Sequence, residues 1–186
     1  MRLVITGVPA TGKTAISKAL AKVMKAELVH ANDFAKKVGA AKKARGASEL
    51  TVDLKKLQKH LAKAFAANKN IIAEGHLLCE FALPADAVLV LRANPIVLLK
   101  RYAARGYSRQ KAADNAVAEA LDYCLLKAEA AYGSRKVIQI DATRRIAVKS
   151  LLARLKRQKS DSVDWSGLLL APPLARLATS SGGKGL

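Results

Sequence analysis

The sequence predicts an α/β fold in which a parallel sheet, doubly wound, is flanked by helices to give three layers. Three observations carry this. Short apolar runs without polar alternation recur along the chain, segments with apolar residues at helical spacing separate them, and the first junction is a glycine turn. Strands buried on both faces and joined through helices read in this way.

Taken in order, Arg2 to Thr6 (RLVIT) is a strand and 13–24 (KTAISKALAKVM) a helix, with the glycine turn between them. Glu27 to His30 adds a strand, and helical spacing returns over about 51–67. Ile71 to Ala73 and the stronger Ala87 to Leu91 (AVLVL) are apolar, β-rich runs. A helix follows over about 95–104, with Pro95 suited to its first turn, and another over about 109–131. Val137 to Ile140 (VIQI) is a weaker strand, and a last helix covers about 144–158. No internal repeat is present. From Ser160 onward Ser, Gly and Pro dominate and no period persists, so 160–186 reads as a flexible tail, with LLLAPPLARL and Trp165 as a patch able to dock.

A chain of 186 residues with 51% hydrophobic residues suits one domain with a sizeable core, placed over 1–159. No apolar run approaches the roughly 20 residues that span a bilayer. The N-terminus breaks with Gly and Pro too early for a signal peptide, so a soluble, cytoplasmic protein without a membrane partner is expected. Cys79 and Cys124 stand far apart, and His30, His60 and His76 are scattered, which argues against a disulfide framework or a structural zinc site. Thirty-three Lys and Arg against fourteen Asp and Glu leave a net charge of +19, which favours polyanionic partners such as nucleotides, RNA or ribosomal surfaces.

Gly7 to Thr14 reads GVPATGKT, matching GxxxxGK[ST] after a strand and at the start of a helix. The glycines let the backbone turn so that successive N–H groups and the helix N-terminus surround a phosphate. Lys13 then reaches the β- and γ-phosphate oxygens, and the Thr14 hydroxyl ligates Mg²⁺. The chain is therefore expected to bind a nucleoside triphosphate on a P-loop NTPase fold. A guanine-reading NKxD is missing, which excludes the usual GTPase. The strand at 71 ends in IIAEGH, so Glu74 and His76 emerge at the carboxyl edge of the sheet beside the phosphate loop. Glu74 is a candidate second holder of Mg²⁺, and His76 a candidate to orient water or polarise a phosphoryl oxygen. The next strand ends at Arg92, and Lys100, Arg101, Arg105 and Arg109 follow within a short stretch. Such cations close over a phosphoryl group as a lid, hinged here at Gly106, or are plain surface charge.

GVPATGKT, IIAEGH, VLVLRANPIVLLKR, RGYSRQKAADN and Glu119 together resemble the adenylate kinase isoenzyme 6 family over about residues 1–142. The resemblance implies a nucleoside monophosphate kinase type of fold with an unusually short lid, transfer of the ATP γ-phosphate to AMP, and a separate ATPase activity. It also implies transient binding to a small-subunit ribosomal protein of the platform during late 30S maturation. Carried over residue by residue, Gly7, Ala10, Gly12, Lys13, Thr14 and Ala15 contact ATP, and Arg105 is the lid arginine. Residues 33–53 form the monophosphate-binding segment, 104–114 the lid, and Asp33, Lys36, Arg92 and Arg101 are candidates to hold the monophosphate. The chain differs from the family in three places: Glu74 stands for the usual aspartate, Lys36 for an arginine, and the 33–53 insertion is basic where its relatives tend to be acidic.

Two stretches hold most of the extra charge. Nine Lys or Arg lie within 36–63 and seven within 144–159, and contact with rRNA backbone is expected of them. Three readings stay open: a nucleoside monophosphate kinase, an ATP-driven ribosome-assembly factor, and a P-loop kinase for another small metabolite.

Overall fold

The computed structural model describes residues 1–43, 50–170, 172 and 174–175. The chain runs β1 (Arg2–Thr6), α1 (Lys13–Met24), β2 (Glu27–His30), α2 (Ala31–Lys37), β3 (Ala41–Lys43), β4 (Leu50–Val52), α3 (Leu54–Ala67) and β5 (Ile71–Glu74). It continues through β6 (Ala87–Arg92), α4 (Pro95–Ala103), α5 (Arg109–Ala120), α6 (Tyr123–Tyr132), β7 (Val137–Asp141) and α7 (Val148–Arg157). Five strands form one parallel sheet in the order β2-β5-β1-β6-β7, with Val4 opposite Ala73 on one side and Val88 on the other.

Alternate residues of each strand feed two separate cores, which is why the strands read as continuous apolar runs. Leu3, Ile5, Ile72, Leu89 and Ile140 pack with Leu20 of α1 and Leu151 of α7. Val4, Ile71, Ala73, Val88 and Val90 pack with Leu57, Leu61 and Phe65 of α3 and with α4–α6 through Leu98, Tyr102, Ala116 and Ala128. The predicted three-layer α/β fold is therefore observed. The chain leaves β1 toward β2 and leaves β5 toward β6, in opposite directions across the sheet, and this places the ends of β1 and β5 at the crevice where ligands of such sheets bind.

Several elements differ from the sequence expectation. The helix expected over 109–131 is two, because Asp122 takes a left-handed φ of 57° and its carboxylate pairs with buried Arg92. Residues 31–37 form α2, and β3 and β4 pair as a short antiparallel two-stranded sheet; residues 44–49 between them lie outside the described residues. The last helix starts at Val148 rather than 144, and α3 starts at Leu54, where Asp53 caps it by accepting from the Lys56 N–H at 2.9 Å.

The expected free tail from Ser160 is corrected as far as Leu170. Asp161 donates its N–H to Gln139 O at 3.0 Å, accepts from the Asp141 N–H at 3.0 Å and pairs with Arg154 at 3.0 Å. Trp165, Leu168 and Leu169 pack onto the core, and Leu174 is fully buried, so apolar burial holds this segment to the body. The rest of the expected tail, apart from residues 172, 174 and 175, lies outside the described residues. Among the described residues no helix is long and apolar enough to cross a membrane.

Candidate active site

The phosphate-loop motif sits where β1 hands over to α1. A Cβ at Gly7 would lie 2.3 Å from Leu91 O, so only glycine lets the loop pass the end of β6. Gly12, at φ 95°, caps α1 with no side-chain cap and no acid in the first turn, leaving the helix N–H groups and dipole open to an anion. Thr11 ties the loop through its hydroxyl to Val8 O at 3.0 Å. Lys13 is buried and curls back over the loop, donating from Nζ to Gly7 O at 3.0 Å and Val8 O at 2.8 Å. Burial pushes its ammonium down to about 8.

The β5 edge supplies the facing groups. Glu74 Oε1 accepts from the Thr14 hydroxyl at 3.2 Å and lies 2.7 Å from His30 Nδ1, with the carboxylate itself largely buried. His76 opens a 3₁₀ turn over His76–Cys79, and its carbonyl accepts from Thr6 Oγ1 at 3.3 Å and Cys79 Sγ at 3.1 Å. Burial first, then the Lys13 charge, lower the His76 pKa, so the ring is neutral at physiological pH and offers a lone pair.

The lid is a stub. Tyr102 donates to Pro9 O at 2.9 Å and stacks on Tyr107 at 5.2 Å between centroids, with Lys111 Nζ 5.1 Å from the Tyr107 ring. Between the two tyrosines Gly106, at φ 67°, makes the turn that presents Arg105.

A cleft of about 1310 Å³ joins these parts, and Ala10, Gly12, Lys13, Thr14, Ala15, Asp33, Glu74, His76 and Arg105 all line it. Four expected site residues lie outside that lining. Gly7 starts the loop, against Leu91 O at the end of β6. Lys36 is exposed on α2 and pairs with Asp33 at 3.7 Å. Arg101 donates to Ala10 O at 3.1 Å, Ala142 O at 3.3 Å and Thr143 O at 2.6 Å, so it braces the phosphate loop against the segment after β7. Arg92 is 1% exposed and bonded to Glu119, Asp122 and Gln139, with no path to a substrate; its assignment to the monophosphate is corrected to a buried structural role. Sequence reasoning missed His30, Asn32 and Asn115, and it gave no individual role to Gln110, Lys111 and Asp114, which lie within the expected 104–114 lid. His30 ends β2 at the same sheet edge as Glu74, so the rule that found Glu74 would have found it too.

Comparison with known proteins fits this geometry. Residues 3–122 match the model of a family described as "AAA domain". The chain is 36% identical over 174 residues to the "Putative adenylate kinase" of Thermococcus kodakarensis, covering 89% of this chain and 93% of that protein. The proteins so named from Pyrococcus abyssi and Methanocaldococcus jannaschii are 34% and 33% identical, covering 89% of this chain and 92% and 93% of theirs. The chain belongs to this family of P-loop kinases. A gluconokinase from Sinorhizobium meliloti 1021 has the same fold at TM-score 0.57 and 17% identity, covering 84% of this chain and 92% of its own. So does shikimate kinase from Bacteroides thetaiotaomicron, at TM-score 0.55 and 18% identity, with coverage of 85% and 97%.

A P-loop kinase works on ATP with a divalent metal. The residues present fit both. The open α1 N-terminus and the Lys13 ammonium suit the phosphates, and the adjacent oxygens of Thr14 and Glu74 suit a hard cation.

Proposed function

We propose that the chain is an adenylate kinase that moves the γ-phosphoryl group of ATP to AMP or a related nucleoside monophosphate. The observation that supports it best is one cleft shared by the phosphate loop, the Arg105 lid stub and the Asn32–Asp33 start of α2, room for a donor and an acceptor face to face. A phosphate oxygen of AMP attacks the γ-phosphorus as its bond to the β–γ bridging oxygen breaks, giving two ADP. Lys13 holds the β- and γ-oxygens, and Arg105 meets charge on the equatorial oxygens. Thr14 and Glu74 hold Mg²⁺, which neutralises phosphate charge, and His30 orients Glu74. Asp33 faces the acceptor and begins the 33–53 monophosphate-binding segment, of which 44–49 lie outside the described residues, with 104–114 as lid. Incubation with Mg-ATP, with and without AMP, tests this: AMP-dependent ADP without matching phosphate is expected, and phosphate release indifferent to AMP would sink the reading.

ATPase activity accompanies transfer when water replaces AMP. Neutral His76 then orients the water, so His76→Ala is expected to cut phosphate release by about 10²-fold while ADP formation falls far less. Equal losses would remove His76 from that role.

The buried Lys13 also sets a pH dependence. Its ammonium titrates near 8 without nucleotide, and triphosphate charge raises that value, so binding takes up a proton and ATP affinity falls as pH rises through 8. Calorimetry in buffers of different ionisation enthalpy should show proton uptake at pH 8.5, lost in Lys13→Met.

A second role, in the cytoplasm, is maturation of the small ribosomal subunit through a platform protein and rRNA contacts. The net charge of +19 supports it. Nucleotide-dependent capture of a purified small-subunit platform protein tests it, and equal capture with and without ATP would count against it.

A further inference from the structure

The second basic stretch joins α1 on one face of the sheet, while α3, which carries part of the first, packs on the other. Lys18 and Lys22 of α1, Lys25 at its C-cap, Lys149, Lys156 and Arg157 of α7, and Lys159 just beyond are all exposed. The two helices pack side by side on one face of the sheet through Leu20, Ala21, Leu151 and Leu155. Neither contains an Asp or Glu, and none of the seven cations forms an ion pair with a described residue. Lys18, Lys22 and Lys25 fall at i, i+4 and i+7, one stripe down α1 that begins at the mouth of the cleft, which Lys18 lines. At the N-terminal end of α7 a furrow of about 670 Å³ is lined by Asp141, Arg144, Arg145, Arg154 and Trp165, among others.

The opposite layer is different. α3 offers a single stripe of Lys55, Lys59 and Lys63, while Lys56 is held by Gly39 O at 3.1 Å. α5 and α6 mix signs at their surface, with Asp114 and Glu129 among their cations.

We infer that the α1/α7 face binds the phosphodiester backbone of a nucleic acid without reading its sequence. An array of unpaired cations gains affinity from each phosphate it neutralises through counterion release. Neither helix carries an aromatic residue, so the helices offer bases no stacking platform, and Trp165 in the adjoining furrow is half-buried and packed on the core. Of the exposed large apolar side chains only Val23 lies on these helices, so a lipid surface would meet no apolar wedge. This deepens the polyanion part of the ribosomal reading and is separate from phosphoryl transfer.

The test titrates the full chain against a labelled single-stranded RNA and a DNA duplex of mixed sequence between 50 and 200 mM salt. It compares the wild type with K22Q/K149Q/K156Q/R157Q and with K55Q/K59Q/K63Q. Wild-type affinity for one or both probes is expected to fall about 10²-fold or more over that range, and the slope of log affinity on log salt to shrink by about 3 to 4 in the α1/α7 variant. The α3 variant should keep most of the slope. None of the four replaced α1/α7 residues lines the cleft, so AMP-dependent ADP formation should persist and reports the kinase reading independently. Salt-insensitive wild-type binding, an equal loss per charge in the α3 variant, or anionic phospholipid vesicles bound as tightly as RNA would each overturn the inference.

Discussion

Lys13→Ala should lower kcat for AMP-dependent ADP formation by about 10³-fold or more, the scale of losing a preorganised donor to the transition-state oxygens, or about 4 kcal/mol. Phosphate release without AMP should fall with it, since both reactions use the same γ-phosphoryl group. The fold, in contrast, should not suffer. In the nucleotide-free protein the ammonium is buried and donates to Gly7 O and Val8 O, yet burial still lowers its pKa to about 8. A base whose folded pKa lies below its unfolded 10.5 costs stability wherever it stays charged, and that cost fades as pH rises from 8 to 10.5. Removing the charge therefore leaves the nucleotide-free Tm unchanged or raised at pH 7, while ATP loses its power to raise Tm further. Chromatographic ADP assays with thermal melts, with and without Mg-ATP, check both halves. More than a tenth of the wild-type rate in Lys13→Ala would place the phosphate-gripping cation elsewhere.

That part of the site was legible because the residues that define the motif in GVPATGKT have local reasons to be there: Gly7 to pass Leu91 O, Gly12 to turn at φ 95°, and Lys13 and Thr14 to open α1. The sheet was legible for a similar reason, since strands buried on both faces show as unbroken apolar runs. What failed depends on partners distant in sequence. Nothing around residue 121 signals a helix break, because the left-handed Asp122 is held by Arg92, 30 residues earlier. Arg92 itself looked like a substrate cation among others, since its buried partner Glu119 lies 27 residues away. The segment after Ser160 looked like a tail because it is held by contacts without a period: Asp161 reaching Arg154 and the Asp141 N–H, and Trp165, Leu168 and Leu169 packing on a core built from elements far earlier in the chain. The three-residue strands β3 and β4 are too short to show a period at all.

Arg92→Met separates the structural role from the substrate role. The guanidinium donates from Nε to Glu119 Oε1 at 2.7 Å and from Nη2 to Glu119 O at 3.1 Å, also meeting Gln139 Oε1 at 3.2 Å and Asp122. Glu119 is 1% exposed, so its carboxylate keeps only the Ala93 N–H, at 3.0 Å, when Arg92 is lost. Breaking a buried pair from one side costs about 3 to 5 kcal/mol, and Tm should fall by roughly 10 °C in a chain of this size. The pH dependence identifies the cause. Burial already raises the Glu119 carboxyl from 4.5 to about 7 against the pull of Arg92, and without that pull it rises further. A carboxyl with a raised folded pKa gives its full stability below 4.5 and loses it up to the folded value, so wild type stops losing near pH 7 and the variant does not. The deficit in Arg92→Met should thus widen above pH 7, and Arg92→Met/Glu119→Leu should remove both the widening and most of the loss. An arginine that grips the monophosphate would behave otherwise: KM for AMP would rise while Tm and its pH profile stayed put, and that result would return Arg92 to the active site.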